Sequence, residues 1–118
     1  MDVAGLFAAI DARDAEAFGS YIAEGGIFRM GSYPPVQGPT EATEFVRGFF
    51  AGLDHVRHEI LQTYEASGQL FIEGNVTYGL KNGKEVMVPF LNRLLVRGDK
   101  AEQYMIYLDP TPVAAAMA

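Results

Sequence analysis

The chain has 118 residues, 49% of them hydrophobic, enough to fill one domain with a single core and no covalent staples. Nine basic and fifteen acidic residues give a net charge of −6 with both signs dispersed, so neither nucleic acid nor an anionic membrane surface is an expected partner. There is no cysteine, which excludes disulfides, thiolate metal sites and a thiol nucleophile. The opening MDVAGLFAAIDARD is acidic where a secretory signal is basic, and no apolar run approaches bilayer length. A soluble, cytoplasmic protein of one domain spanning 1–118 is expected.

Val3, Leu6, Phe7 and Ile10 recur at helical spacing, and Asp14 is placed to cap a second short helix with Phe18, Tyr21 and Ile22 on its inner face. Gly25 and Gly26 read as the end of that helix, and Ile27 to Met30 as a short strand. Pro34, Pro35, Gly38 and Pro39 then interrupt regular structure until a third helix, whose apolar stripe is Ala42, Phe45, Val46, Phe49, Phe50 and Leu53. A strand that stops at a Pro/Gly-rich loop beside an apolar helix describes the mouth of a half-open cone, so the stretch from Phe28 to Phe50 marks where a ligand would sit.

Beyond Asp54 the pattern turns to strands, near Arg57 to Tyr64, Leu70 to Leu80, Glu85 to Val96 and Glu102 to Leu108. Ser67-Gly68, Lys81-Asn82-Gly83-Lys84 and Arg97-Gly98-Asp99 separate them, and Asn82-Gly83 has the composition of a type I′ hairpin turn. These strands form an antiparallel meander. Pro89 inside the third long strand requires a bulge or an edge position. The alanine-rich tail from Ala114 to Ala118 is expected to fray. Helices followed by a bent meander give an α+β cone with three helices, all in the N-terminal half, packed on the sheet.

The paired first helices with Asp14, the segment FRMGSYPPVQG, His58 in HVRHEIL, VTY, NGKEVMVPF and the closing YMIYLDPTPV together resemble a SnoaL-like domain of the NTF2-like superfamily, the cystatin-like cone shared with ketosteroid isomerases and polyketide cyclases. The resemblance runs from the first helix to Val113. It implies the cone fold and a pocket for a small molecule, but the fold hosts many activities. Ketosteroid isomerase chemistry uses an aspartate base with a tyrosine and a protonated aspartic acid. The matching positions are Met30, Leu6 and Leu91, none of which moves a proton. The limonene epoxide hydrolase layout of two aspartates and an arginine falls near Val76, Ile106 and Gly74, again without the polar groups. Relatives often carry an aspartate at Asn92 and an arginine at Met105. Strand parity puts both on the outer face, where the superfamily commonly dimerises.

The expected pocket is therefore apolar with a few polar fixtures. Period-two alternation groups Val76 with Tyr78, Tyr104 with Ile106 and Leu108, and Leu91 with Arg93 on the inner face. Phe28, Met30 and Phe49 at the mouth are either ligand contacts or plain core, as is Leu6. Tyr33 is a lid residue or a turn neighbour. His58 suits acid/base work or a structural hydrogen bond, and Tyr104 and Tyr78 suit hydrogen bonding inside an apolar cavity. Arg93 either presents charge inward or is solvated, and Asp109 either acts as a base or ends the last strand by bonding local backbone. His55 and His58 point to opposite faces of a strand, so no metal or other cofactor is expected.

Two main functional expectations follow. One is an acid/base enzyme of the cyclase, isomerase or dehydratase type, using Tyr104, His58 or Asp109 on an apolar cyclic or polyketide-like substrate. The other is a non-catalytic protein that holds an apolar metabolite. A homodimer joined through the sheet, with that face as the working surface, is the third possibility.

Overall fold

The computed structural model describes residues 1–117, and every regular element packs on one six-stranded sheet. Helices α1 (Val3–Asp11) and α2 (Ala15–Gly19) open the chain, each capped by an aspartate. Asp2 accepts from the Gly5 N–H and Asp14 from the Ala17 N–H, satisfying amides that the first turn leaves free. Strand β1 (Ile22–Met30) and the two-residue β2 (Val36–Gln37) lead into α3 (Gly38–Ala51). Strands β3 (Leu53–Ala66), β4 (Gln69–Leu80), β5 (Glu85–Arg97) and β6 (Lys100–Tyr107) follow, and α4 (Thr111–Met117) closes the described chain.

The sheet order is β2-β1-β6-β5-β4-β3. The last four strands make the expected antiparallel meander, whereas β1 joins it by parallel pairing with β6. The inner face and the helices enclose one core that includes Phe18, Phe28, Ile72, Val76, Leu94 and Tyr104. Among the described residues no helix is long and apolar enough to cross a membrane.

Several local expectations are corrected. Helix α2 stops at Gly19, Tyr21 lies in the turn that follows, and Ile22 opens β1; the Ala101 N–H donates to the Tyr21 carbonyl at 2.8 Å. Gly25 and Gly26 mark a bulge in β1 rather than a helix end. Gly25 has φ of +72°, and a Cβ on Gly26 would come within 2.7 Å of the Ala101 carbonyl oxygen. The two-residue turn with positive φ at both positions is Ser67-Gly68; at Lys81-Asn82-Gly83-Lys84 only Gly83 has positive φ, and the Asn82 side chain instead accepts from the Lys84 N–H.

The tail is helical rather than frayed as far as Met117, with Ala118 outside the described residues. Asp109 accepts from the Thr111 N–H at its start, Val113 is buried, and the Asn82 amide donates to the Ala116 carbonyl. Pro89 faces Asn75 of β4 where β5 runs beyond the end of its pairing with β6, a local edge where a missing N–H costs nothing.

Gly74 pairs with Ile60 beside the irregularity between Ile60 and Gln62. A Cβ there would run into the backbone carbonyl of Glu59 and touch the Phe90 ring at 3.0 Å. Gly74→Ala should lower unfolding stability by about 2 kcal/mol or more, measured by urea denaturation, because the obstructing atom is backbone and cannot rotate away.

Candidate functional site

The site is built around the inner faces of β3, β4, β5 and β6. In β4 the buried residues Ile72, Val76 and Tyr78 alternate with outward ones, and in β6 Tyr104 and Ile106 face the same interior. Helices α2 and α3 supply Phe18, Val46, Phe49 and Phe50 from the opposite side. The rings of Phe18, Phe28 and Tyr104 meet edge to face at centroid distances of 5.3 to 5.5 Å, a rigid apolar wall.

Between these walls lies an inner cavity of about 40 Å³. That is room for roughly three water molecules. A vestibule of about 240 Å³ lies beside it, lined by Tyr33, Gly48, Leu53, Pro110, Val113 and Met117, among others. Met30, Phe49, Tyr78 and Leu108 line both spaces and form the neck between them. The mouth therefore lies where the segment from Phe28 to Phe50 places it, with α4 as an additional wall.

Four residues with polar side chains line the inner cavity: His58, Tyr78, Asn92 and Tyr104. His58 is wedged between Phe7 and Phe90, with ring centroids 5.0 and 5.3 Å away. Its Nδ1 lies 2.7 Å from Asp11 Oδ1, and its backbone N–H donates to Asp11 Oδ2 at 3.1 Å. Burial pushes the imidazole below its ordinary pKa of 6.5, and the adjacent Asp11 carboxylate offsets this only in part. A neutral ring beside a carboxylate keeps its proton on Nδ1, so Nε2 carries a lone pair, and no protein group bonds to it among the described residues.

Burial raises the pKa of both Tyr78 and Tyr104, so both phenols remain protonated donors at neutral pH. Asn92 is only 3% exposed, and its Nδ2 lies 3.5 Å from the Tyr104 hydroxyl. Its Oδ1 is fully buried without a hydrogen-bond partner among the described residues.

Of the residues singled out from the sequence, His58, Tyr104, Phe28, Met30, Phe49, Val76, Tyr78, Ile106 and Leu108 all border the inner cavity. Tyr33 borders the vestibule and packs against Phe45. Leu6 is fully buried but does not line either space. Asp109 is exposed and bonds Thr111, which holds its carboxyl below the usual range; it lies between β6 and α4 and lines neither space.

The parity of β5 is corrected. Leu91 and Arg93 lie on the outer face, where Arg93 donates to Gln69 and Gln103, and Asn92 faces inward; Met105 is on the outer face as expected. The cause is a bulge between Leu95 and Val96: the turn alone would set Arg93 opposite Tyr104, but beyond the bulge Leu94 takes that place. Asp11 escaped attention because its link to His58 joins residues 47 positions apart. His55 does point away from His58, toward Asp54 and Glu85, and no group of three or more metal-ligating side chains occurs among the described residues.

The SnoaL-like domain family matches residues 3–104. The chain belongs to the SnoaL-like domain family. No curated, functionally described protein is similar enough to match it. Among solved structures, a protein of ketosteroid isomerase-like fold from Catenulispora acidiphila DSM 44928, in complex with trimethylamine, superposes with a TM-score of 0.88 at 21% identity, over 96% of this chain and 88% of the other. A protein described as a SnoaL-like polyketide cyclase from Jannaschia sp. CCS1 gives 0.80 at 14% identity over 98% and 90%. An LEH-like epoxide hydrolase from M. tuberculosis gives 0.79 at 10% over 98% and 85%. These likenesses establish an NTF2-like, cystatin-type fold.

The two histidines shift in opposite directions, because carboxylates of Asp54 and Glu85 hold exposed His55 above 6.5 while burial holds His58 below it. An NMR pH titration should resolve one imidazole on each side of that value. For His58 the unfolded chain binds the proton more tightly, so its contribution to stability is complete above the unfolded pKa and is lost as pH falls through the folded one. His58→Gln should therefore reduce the drop in stability on acidification between pH 6.5 and the folded value, measured by denaturation at several pH values.

Proposed function

We propose that this SnoaL-like protein is an acid/base enzyme acting on a small, mostly apolar cyclic carbonyl compound, with His58 as general base. The observation that carries this reading is the Asp11–His58 pair, seated at the wall of an otherwise apolar cavity with Nε2 free. Such a pair fixes the tautomer, orients the ring and stabilises the imidazolium that forms on proton transfer.

In the proposed reaction the substrate carbonyl oxygen accepts a hydrogen bond from Tyr104, whose buried phenol keeps its proton. His58 Nε2 takes a proton from the carbon next to that carbonyl. The electron pair of the broken C–H bond moves into the enolate, with its negative charge on oxygen beside the phenol. His58 then returns the proton at another carbon for an isomerisation, or the enolate carbon attacks a second carbonyl carbon for a ring closure, in which the π pair of that carbonyl moves to its oxygen and the oxygen takes the proton back from His58. Tyr78, at the neck, is placed to hold the substrate's outer part. The polyketide cyclase description of a structural neighbour supports this class of substrate. Neither the isomerase nor the epoxide hydrolase carboxylates are needed.

A dry, open pocket with few polar groups would favour a passive binding protein. The base, two phenols and an amide around one small cavity favour chemistry instead. Deuterium incorporation next to the carbonyl of a panel of small cyclic ketones in D2O, followed by proton NMR, tests the proposal. His58→Gln should slow exchange by about a hundredfold or more with the fold retained. Full exchange in that variant, or no enzyme-dependent exchange across the panel, would leave the binding reading in its place.

We also propose that the outer sheet face pairs with a second copy, on the observation that Met87, Leu91 and Tyr107 expose 38 to 63% of their surface there. Light scattering should then give twice the mass of one chain, and Leu91→Lys should halve it.

A further inference from the structure

The proposed chemistry accounts for the lone pair of His58 and the hydroxyl of Tyr104 but leaves one polar atom of the cavity unused. Asn92 lines the inner cavity, and its Oδ1 is completely buried with no partner among the described residues. A buried carbonyl oxygen without a donor is costly, and a folded protein retains one where something else supplies the missing hydrogen. The phenol of Tyr104 is on the Nδ2 side of the amide, and no side chain among the described residues bonds the oxygen.

We propose that Asn92 Oδ1 is a specificity-determining acceptor, and that the ligand is a small, uncharged ring carrying a hydroxyl group that donates to it. The inference deepens, and rests on, the reading of this cavity as the substrate site, narrowing the substrate to a hydroxylated ring compound. The inner space of about 40 Å³ admits one edge of a ring with its polar substituent, and the vestibule of about 240 Å³ takes the remainder. The substituted edge therefore enters past Met30, Phe49, Tyr78 and Leu108, with the rest of the ring behind it. Met30 makes that passage practicable, because its unbranched thioether changes rotamer easily. An anionic group is excluded at this position, since it would meet the negative end of the amide dipole in a site with no cation.

The test uses the purified chain and two probes of nearly equal shape, cyclohexanol and methylcyclohexane, titrated by NMR. Cyclohexanol should bind about tenfold or more tightly, even though methylcyclohexane is the more apolar, and only cyclohexanol should shift the Asn92 side-chain carbonyl carbon. Asn92→Leu should remove the preference. Equal binding of the two probes by the wild type would overturn the proposal, as would a shift confined to the Asn92 amide protons, which would put Nδ2 rather than Oδ1 toward the ligand. If Asn92→Leu does not fold, the two wild-type measurements still decide. Failure of this proposal is distinguishable from failure of the catalytic one: ketone exchange that depends on His58, without alcohol preference, sinks only the Asn92 assignment. Alcohol preference without any exchange sinks only the base.

Discussion

The carboxylate of Asp11 bonds both the backbone N–H and the ring of His58, and this double contact ties the last residue of the first helix to the inner face of the first long strand. It holds α1 against the sheet, closes the interior on that side and sets the imidazole tautomer at once. Phe7, from the same helix, covers the ring from one side and Phe90 of β5 covers it from another. Removing Asp11 would leave a part-buried N–H without this partner and an unoriented imidazole, so stability and the proposed chemistry are coupled at this point.

The cone was legible because its signals are local or periodic. Asp14 caps a helix three residues before the amide it serves, the stripe from Ala42 to Phe50 repeats with helical period, and Val76 with Tyr78 or Tyr104 with Ile106 alternates cleanly. What was illegible depends on single insertions. One bulge near Val96 reverses the parity of β5 relative to β6, and β5 is apolar on both faces, with Phe90 and Leu94 inside and Met87 and Leu91 outside. The hydrophobic pattern could not reveal that reversal. Asn92 consequently moved from the outer face to the cavity, and Leu91 and Arg93 moved out of it.

A second kind of misreading came from composition without partners. The alanine run of the tail has nothing in its own sequence that demands packing, yet Val113 and the Asn82 bond to Ala116 anchor it beside the mouth. Asp109 likewise looked chemical because it ends a strand that faces the cavity. Its carboxylate is already committed to Thr111, and the charge faces solvent. In both cases the decisive fact is a contact made outside the local segment.

The apolar residues Met30, Val76 and Ile106 and the polar groups between them are parts of one electrostatic arrangement. A desolvated cavity holds an imidazole neutral and phenols protonated, since burial penalises the charged form of each. The base and the hydrogen-bond donors are thereby both kept in the forms that proton abstraction requires. An additional carboxylate among these walls would raise the pKa of His58 and make proton return harder. The carboxylate this protein does use is placed behind the ring, half-buried at the end of α1, where it orients His58 without entering the cavity. On the proposed reading, the apolar interior is the condition under which a single, mostly buried histidine acts as a base.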